Sequence, residues 1–211
     1  MGLDATPPTI GVAGADALWH NKPVTLTITA SDEQYGSGLA YTEYMIDSGR
    51  WLIGNTVTVG PSDGDGEHTV SCRSVDLAGN QATASVKVRI DTTPPAGSFA
   101  LNDGASSTTS ANVSVDSAST NNKGVSEMRF STDEKATWGS WMPFSTTASL
   151  TLSPQQGLKT VYAEYRDEAG NVVQLWDDIT LDENTDTSPS STKVSGVVAD
   201  KWYKAAVSVA F

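Results

Sequence analysis

The chain repeats itself, and that limits its fold more than any other feature of the sequence. "GEHTVSCRSVDLAGN" at 66–80 returns as "GLKTVYAEYRDEAGN" at 157–171, and "GLAYTEYMIDSGRW" at 38–51 returns as "GVSEMRFSTDEKATW" at 124–138. Gly38 answers Gly124, Tyr44 answers Phe130 and Asp47 answers Asp133 at an offset of 86, while Asp76 answers Asp167 at 91. Proline junctions recur as "DATPP" (4–8), "DTTPP" (91–95) and "DTSPS" (186–190). After the third junction Trp202 answers Trp19, Val207 answers Val24 and Phe211 answers Ile28. The expected organisation is therefore repeat 1 over 1–91, repeat 2 over 92–185, and the start of a third over 186–211. Units of about 90 residues can each bury a working core.

Within each copy the period is two. "VTLTITA" (24–30) sets Val24, Leu26 and Ile28 against Thr25, Thr27 and Thr29. "ATASVKVRI" (82–90) sets Ala82, Ala84, Val86, Val88 and Ile90 against Thr83, Ser85, Lys87 and Arg89. One apolar face on a two-residue period is a half-buried antiparallel strand. Short strands spaced by roughly 8–12 residues predict a sandwich or a barrel. "NVVQLWDDITL" keeps Val173, Leu175, Ile179 and Leu181 in phase but puts Asp177 on the inward side, which reads as a bulge or as a local departure. "DLAGN" and "DEAGN" place Asp first and Gly where a left-handed backbone is needed. That is a type I turn with a G1 bulge, in which Asp76 accepts from backbone N–H groups two or three residues on and Asn80 restarts the strand.

Laid out this way, the chain resembles the bacterial immunoglobulin-like repeats of surface adhesins and secreted multidomain proteins. The residues that carry the likeness are the "DTTPP" junctions, the segment around "YMIDSGRW", and the paired "HTVSCRSVDLAGN" and "KTVYAEYRDEAGN". The resemblance implies an all-β fold of tandem Ig-like sandwiches in an elongated array. It also implies an extracellular place, on a bacterial surface or in a secreted protein, and neighbouring repeats as the first partners.

Charge narrows the other partners. With 13 basic and 25 acidic residues the net charge is −12. Such a surface repels phosphate backbones, so nucleic acid is not expected. No apolar run reaches the roughly 18 residues of a membrane span, so no membrane insertion is expected. "MGLDATPP" has neither a charged leader nor an apolar segment, and its linker-like start predicts a piece of something longer with no signal peptide. The single Cys72 alternates with Val70 and Ser74 and is expected to be a small buried residue. No nucleophile elbow, P-loop, dinucleotide fingerprint, HExxH or paired-cysteine spacing is present, so no catalysis is expected.

Two binding readings remain. Asp91, leaving repeat 1, should face the turn at Asp167 and Glu168 of repeat 2, with Asp63 and Asp65 of "PSDGDGE" on the same side. Convergent carboxylates and carbonyls of that kind suit calcium, which takes six to eight oxygens at about 2.3–2.6 Å. Calcium at such junctions is also what the resemblance implies. Trp138 and Trp141, with Trp51 in the matching segment, could make a platform for sugar rings, while Trp176 should face outward.

Proline fixes φ and extends the residue before it, so the junctions read as semi-stiff connectors. The function expected is a non-catalytic spacer or stalk; the alternative is a segment that binds a cell-surface glycan or a host protein. In the third copy Val194, Val207, Val209 and Phe211 lack the strands that would bury them, which predicts docking on a neighbour.

Overall fold

The computed structural model describes residues 3–121 and 123–182, all-β apart from two three-residue 3-10 turns at Pro61–Asp63 and Asn102–Gly104. The start of a third repeat expected over 186–211, and its expected docking on a neighbour, lie outside the described residues. Repeat 1 is built from β1 (Thr9–Ala13), β2 (Trp19–His20), β3 (Val24–Ser31), β4 (Leu39–Ile46), β5 (Leu52–Ile53), β6 (Thr56–Val59), β7 (Gly66–Asp76) and β8 (Gln81–Ile90). They form a three-stranded sheet, β1-β3-β6, and a five-stranded sheet, β2-β8-β7-β4-β5. Repeat 2 runs β9 (Ala96–Leu101), β10 (Ser107–Thr108), β11 (Asn112–Thr120), β12 (Val125–Ser131), β13 (Met142–Pro143), β14 (Thr147–Thr151), β15 (Gly157–Asp167) and β16 (Val172–Leu181). It reproduces the same topology, as β14-β11-β9 and β10-β16-β15-β12-β13.

The alternation reads out as burial. Leu26 and Ile28 of β3 are buried between exposed threonines, and Val88 and Ile90 of β8 are buried between Lys87 and Arg89. Cys72 is fully buried on β7, and its surroundings push the thiol pKa up, so the sulfur packs rather than reacts. Tyr44 pairs with Cys72 and Phe130 with Ala163, so the repeat alignment drawn from sequence is the alignment in space. Each sandwich has its own core: one gathers Leu26, Val59, Val70 and Ile90, the other Leu101, Val115, Val161 and Tyr165, and the two clusters share no residue.

Two features differ from expectation. The first strand pairings with the long sheet, β2 with β8 and β10 with β16, are parallel and two residues long, so the sandwiches are not wholly antiparallel. And Asp177 sits inward without a bulge, because the β15–β16 register runs unbroken from Gly157–Leu181 to Arg166–Val172. Its Oδ2 accepts the Leu101 N–H at 2.8 Å, so the carboxylate gives a backbone donor of the opposite sheet an acceptor where the sheets meet.

Candidate functional site

The two AGN turns are the same object twice. Gly79 and Gly170 have φ of +94° and +90°, and each donates its N–H to the carbonyl of the turn aspartate at 3.2 Å. Asp76 Oδ1 accepts the Asn80 N–H at 2.8 Å and Oδ2 accepts Asn80 Nδ2 at 2.8 Å; Asp167 does the same with Asn171, at 2.8 and 3.0 Å. The predicted turn is present, with one correction. The aspartate reaches four residues on, to both amides of the asparagine, rather than two or three.

The asparagine therefore does more than restart a strand. Its Nδ2 also donates to the carbonyl of the junction aspartate, Asn80 to Asp4 at 3.3 Å and Asn171 to Asp91 at 2.9 Å. Each sandwich thus carries a polar node at its leading end, made of the incoming linker aspartate, the turn aspartate and the turn asparagine. A fourth residue joins from the loop after the second long strand. In repeat 1 it is Asp32, whose Oδ2 accepts the Gly38 N–H at 2.6 Å. In repeat 2 it is Asn121, whose Oδ1 accepts the Lys123 N–H at 2.6 Å and whose Nδ2 donates to Asp167 Oδ2 at 3.2 Å.

That exchange of Asp for Asn changes the electrostatics. Among the described residues, Asp4, Asp32 and Asp76 are the one set of three acidic side chains whose ligand atoms lie within 4.8 Å of one another. Sequence reasoning missed them, although carrying the junction argument back one linker would have pointed to Asp4 and Asp76. At the second node an amide replaces one carboxylate, and Lys123 is drawn in.

The second node is also the seam between the repeats. Asp91 is fully buried; its Oδ1 accepts the Thr93 N–H at 3.2 Å, but Oδ2 has no partner. The reason is local. At the first node Ser37 N–H fills the equivalent Oδ2 of Asp4 at 2.6 Å, whereas Lys123, at Ser37's place, gives its N–H to Asn121. Burial holds Asp91 above the usual carboxylate range; the Thr93 amide and Lys123 oppose the shift, and the charges of Asp167 and Asp65 add to it. Lys123 lies 4.0 Å from the ring centroid of Trp19 in repeat 1, a cation–π contact across the seam. Asn121 Nδ2 donates to the Thr93 carbonyl at 3.0 Å.

Of the five residues expected to converge on calcium, the structure brings Asp91 and Asp167 together through Asn171. Asp65 is nearby but both its oxygens hold the linker, accepting Thr92 N–H at 2.9 Å, Thr92 Oγ1 at 2.8 Å and Thr93 Oγ1 at 2.8 Å. These threonine bonds pull its pKa below the ordinary value. Asp63 caps the Gly60 N–H at 2.9 Å, and Glu168 is exposed.

The tryptophans lie against arginines. Arg129 stacks on Trp138 at 4.9 Å and on Trp141 at 4.4 Å, and Arg166 lies 4.3 Å from Trp141. Trp51 carries Arg73 at 4.6 Å in the other repeat, so it shares no platform with them. The underlying cross-strand pair is Arg129 with Glu164 in repeat 2 and, charges exchanged, Glu43 with Arg73 in repeat 1. In each repeat the arginine of that pair lies against tryptophan from the same connection, the loop after β4 or after β12. Trp176 faces outward as expected, at 62% exposure.

No family model matches the chain, and no curated protein does either. Solved structures do. Fibronectin(III)-like modules of Clostridium thermocellum CbhA are 10% identical over 82% of this chain and 93% of that one, with a TM-score of 0.49. The chicken CNTN1 FN1-FN3 domains are 13% identical over 84% and 67%, with a TM-score of 0.42. The tetra-tandem repeat in the extending region of a large adhesion protein is 22% identical over 84% and 49%, with a TM-score of 0.33. The strand order itself defines the fold: two immunoglobulin-like β-sandwiches in tandem.

Proposed function

We propose that the chain is a non-catalytic spacer, a run of Ig-like units that sets distance on a bacterial surface or within a secreted protein. The observation that carries this is the construction of the seam. A linker aspartate is fully buried there, the linker threonines are gripped by Asp65 behind them, and Asn121 and Asn171 grip the linker carbonyls from in front. A linker fastened on both sides resists bending, which suits a strut and not a hinged pair closing on a substrate. The extracellular placement leans on the resemblance carried by the repeated motifs. Repeats that contact only their neighbours keep stability local, so length can change by copy number.

Small-angle scattering tests the strut. Strands of about 8 residues plus loops give a unit of about 35–40 Å, so two in line have a maximum dimension of roughly 70–80 Å. A compact particle near 50 Å, on the same strand dimensions, would refute the reading.

Calcium belongs to the same proposal. Asp91 Oδ2, buried without a partner, has spare lone pairs, the Asn171 amide joins the Asp91 backbone carbonyl to Asp167 Oδ2, and the Asp167 charge acts on the Asp91 carboxyl. These two would hold the ion, in competition with Lys123. Calcium at ten times its Kd is expected to add about 1.4 kcal/mol to the stability of the folded chain. The measurement is a melting curve with and without millimolar calcium, on the wild type and on Asp91→Asn. A rise in the wild type that the variant lacks supports the ion; superimposable wild-type curves remove it.

A further inference from the structure

Repeat 1 holds a buried histidine that the strut does not require. His68 lies on the inward face of β7 and is 7% exposed. Both of its ring nitrogens face acceptors: Nδ1 is 2.9 Å from Asp47 Oδ2, and Nε2 is 3.0 Å from the Gly64 carbonyl oxygen. A neutral imidazole has one N–H and one lone pair, so at one of these contacts a lone pair would face an oxygen. Only the imidazolium donates to both. Asp47 is itself fixed in place, its Oδ1 accepting the Thr69 N–H at 2.8 Å.

The charged groups around the ring agree with that state. Asp47 faces it from the turn after β4, and Asp63 lies in the loop 60–66. On β8 its cross-strand partner is Val88, while the flanking Lys87 and Arg89 point to the other face and pair there with Glu67. The hydrogen bond to Asp47 raises the His68 pKa most, against the opposing effect of burial.

What the histidine holds is the loop that holds the linker. Gly64, whose carbonyl it binds, precedes Asp65, the residue that accepts Thr92 N–H and both linker threonine hydroxyls. Gly64 and Gly66 on either side of Asp65 have φ of +100° and +149°, so this loop has little stiffness of its own. Repeat 2 has no such device. Lys159 stands at the equivalent of His68 and reaches Ser153 Oγ at 2.9 Å, and Asp133, the equivalent of Asp47, accepts from the nearby Thr137 N–H at 2.9 Å.

We propose that His68 is a proton-operated latch on the interdomain linker: as the imidazolium it ties the 60–66 loop to the sheet so that Asp65 keeps its hold on Thr92 and Thr93, and on losing a proton it lets one tie go. The sign follows from the partners. The latch is fully closed below the ordinary histidine value of about 6.5 and opens as pH rises through the raised folded value. Nothing in this depends on the scattering result, because linker order is read directly.

The test is nitrogen-detected NMR of the full chain from pH 5 to 9, with amide protection factors at Thr92. Both His68 ring nitrogens are expected to be protonated at pH 6, and the Thr92 and Thr93 amide signals should shift with the His68 midpoint. Above that midpoint the Thr92 protection factor should fall about ten-fold, the loss of one charge-assisted hydrogen bond. Asp47→Asn should lower the histidine midpoint and carry the linker signals down with it. His68→Gln should abolish the pH response and leave Thr92 weakly protected throughout. Linker signals that stay flat across the His68 titration, or a ring nitrogen without a proton at pH 6, would overturn the latch.

Discussion

Tyr165→Ala is expected to unfold the second sandwich at a temperature where the first remains intact. Tyr165 is fully buried on β15, meets Phe144 edge-on with ring centroids 5.4 Å apart, and donates its hydroxyl to Ser117 Oγ at 2.7 Å. Removing a buried aromatic side chain costs about 3–5 kcal/mol through lost transfer energy and the cavity left behind. Ser117 Oγ, in a residue only 6% exposed, would also lose its partner. A domain of this size has about 5–15 kcal/mol in hand, so the loss is a large fraction of the whole. For a unit of about 90 residues it corresponds to a fall of roughly 15 °C or more in its melting temperature. Calorimetry should show two transitions, the second moved down and the first unmoved. Two transitions falling together would mean that the sandwiches share a cooperative core, and the picture of separate units would fail.

The same asymmetry shows what a sequence can and cannot disclose. The strands with a period of two were legible, since Leu26 and Ile28, or Val88 and Ile90, need only their own neighbours to reveal a buried face. β2 and β10 were not, because two residues cannot display a period, and their parallel partners lie far along the chain, Arg89 for Trp19 and Thr180 for Ser107. Asp177 looked anomalous because its partner, the Leu101 N–H, lies 76 residues away on the other sheet. Tyr165 and Ser74 hold equivalent places in the two repeats, and only the fold shows that one fills a core the other merely lines.

The site was half legible for a similar reason. Asp91 and Asp167 were expected to meet, from the direction of the chain alone, and they do. Asp32 escaped notice because the loop from Asp32 to Gly38 is three residues longer than that from Asn121 to Gly124, so a fixed offset misaligns them. The double role of Asn80 and Asn171 was hidden because an asparagine after a turn glycine already has a sufficient local explanation. The stacking of Arg129 on Trp138 and Trp141 depends on how the loop after β12 folds back over that strand, which the spacing of the three residues does not display.

Asp167→Ala should do more damage than the loss of any one hydrogen bond, and should do it in two places. Asp167 is 2% exposed and accepts three donors: Asn171 N–H, Asn171 Nδ2 and Asn121 Nδ2. Alanine leaves the Asn171 backbone N–H without an acceptor and takes one of two acceptors from each side-chain amide, in a site that water barely reaches, at about 1–3 kcal/mol for each buried group and with little additivity. A total loss of about 3 kcal/mol or more from repeat 2 is therefore expected in urea unfolding. The second effect is on the seam. Asn171 and Asn121 are the residues that bind the Asp91 and Thr93 carbonyls, and Asp167 is what orients both side chains. Residual dipolar couplings should show the two units losing their fixed relative orientation in Asp167→Ala. Asp76→Ala, which removes the equivalent turn at the leading end of repeat 1, should weaken that unit while leaving the orientation of the pair unchanged. Asp167→Asn keeps an acceptor for the Asn171 backbone N–H but sets an amide against two amide donors, so it should recover part of the stability and little of the alignment. A loss under about 1 kcal/mol in Asp167→Ala, with couplings like those of the wild type, would show that the turn aspartate merely closes its hairpin. The seam would then be held by Lys123 on Trp19 and by the linker grip of Asp65.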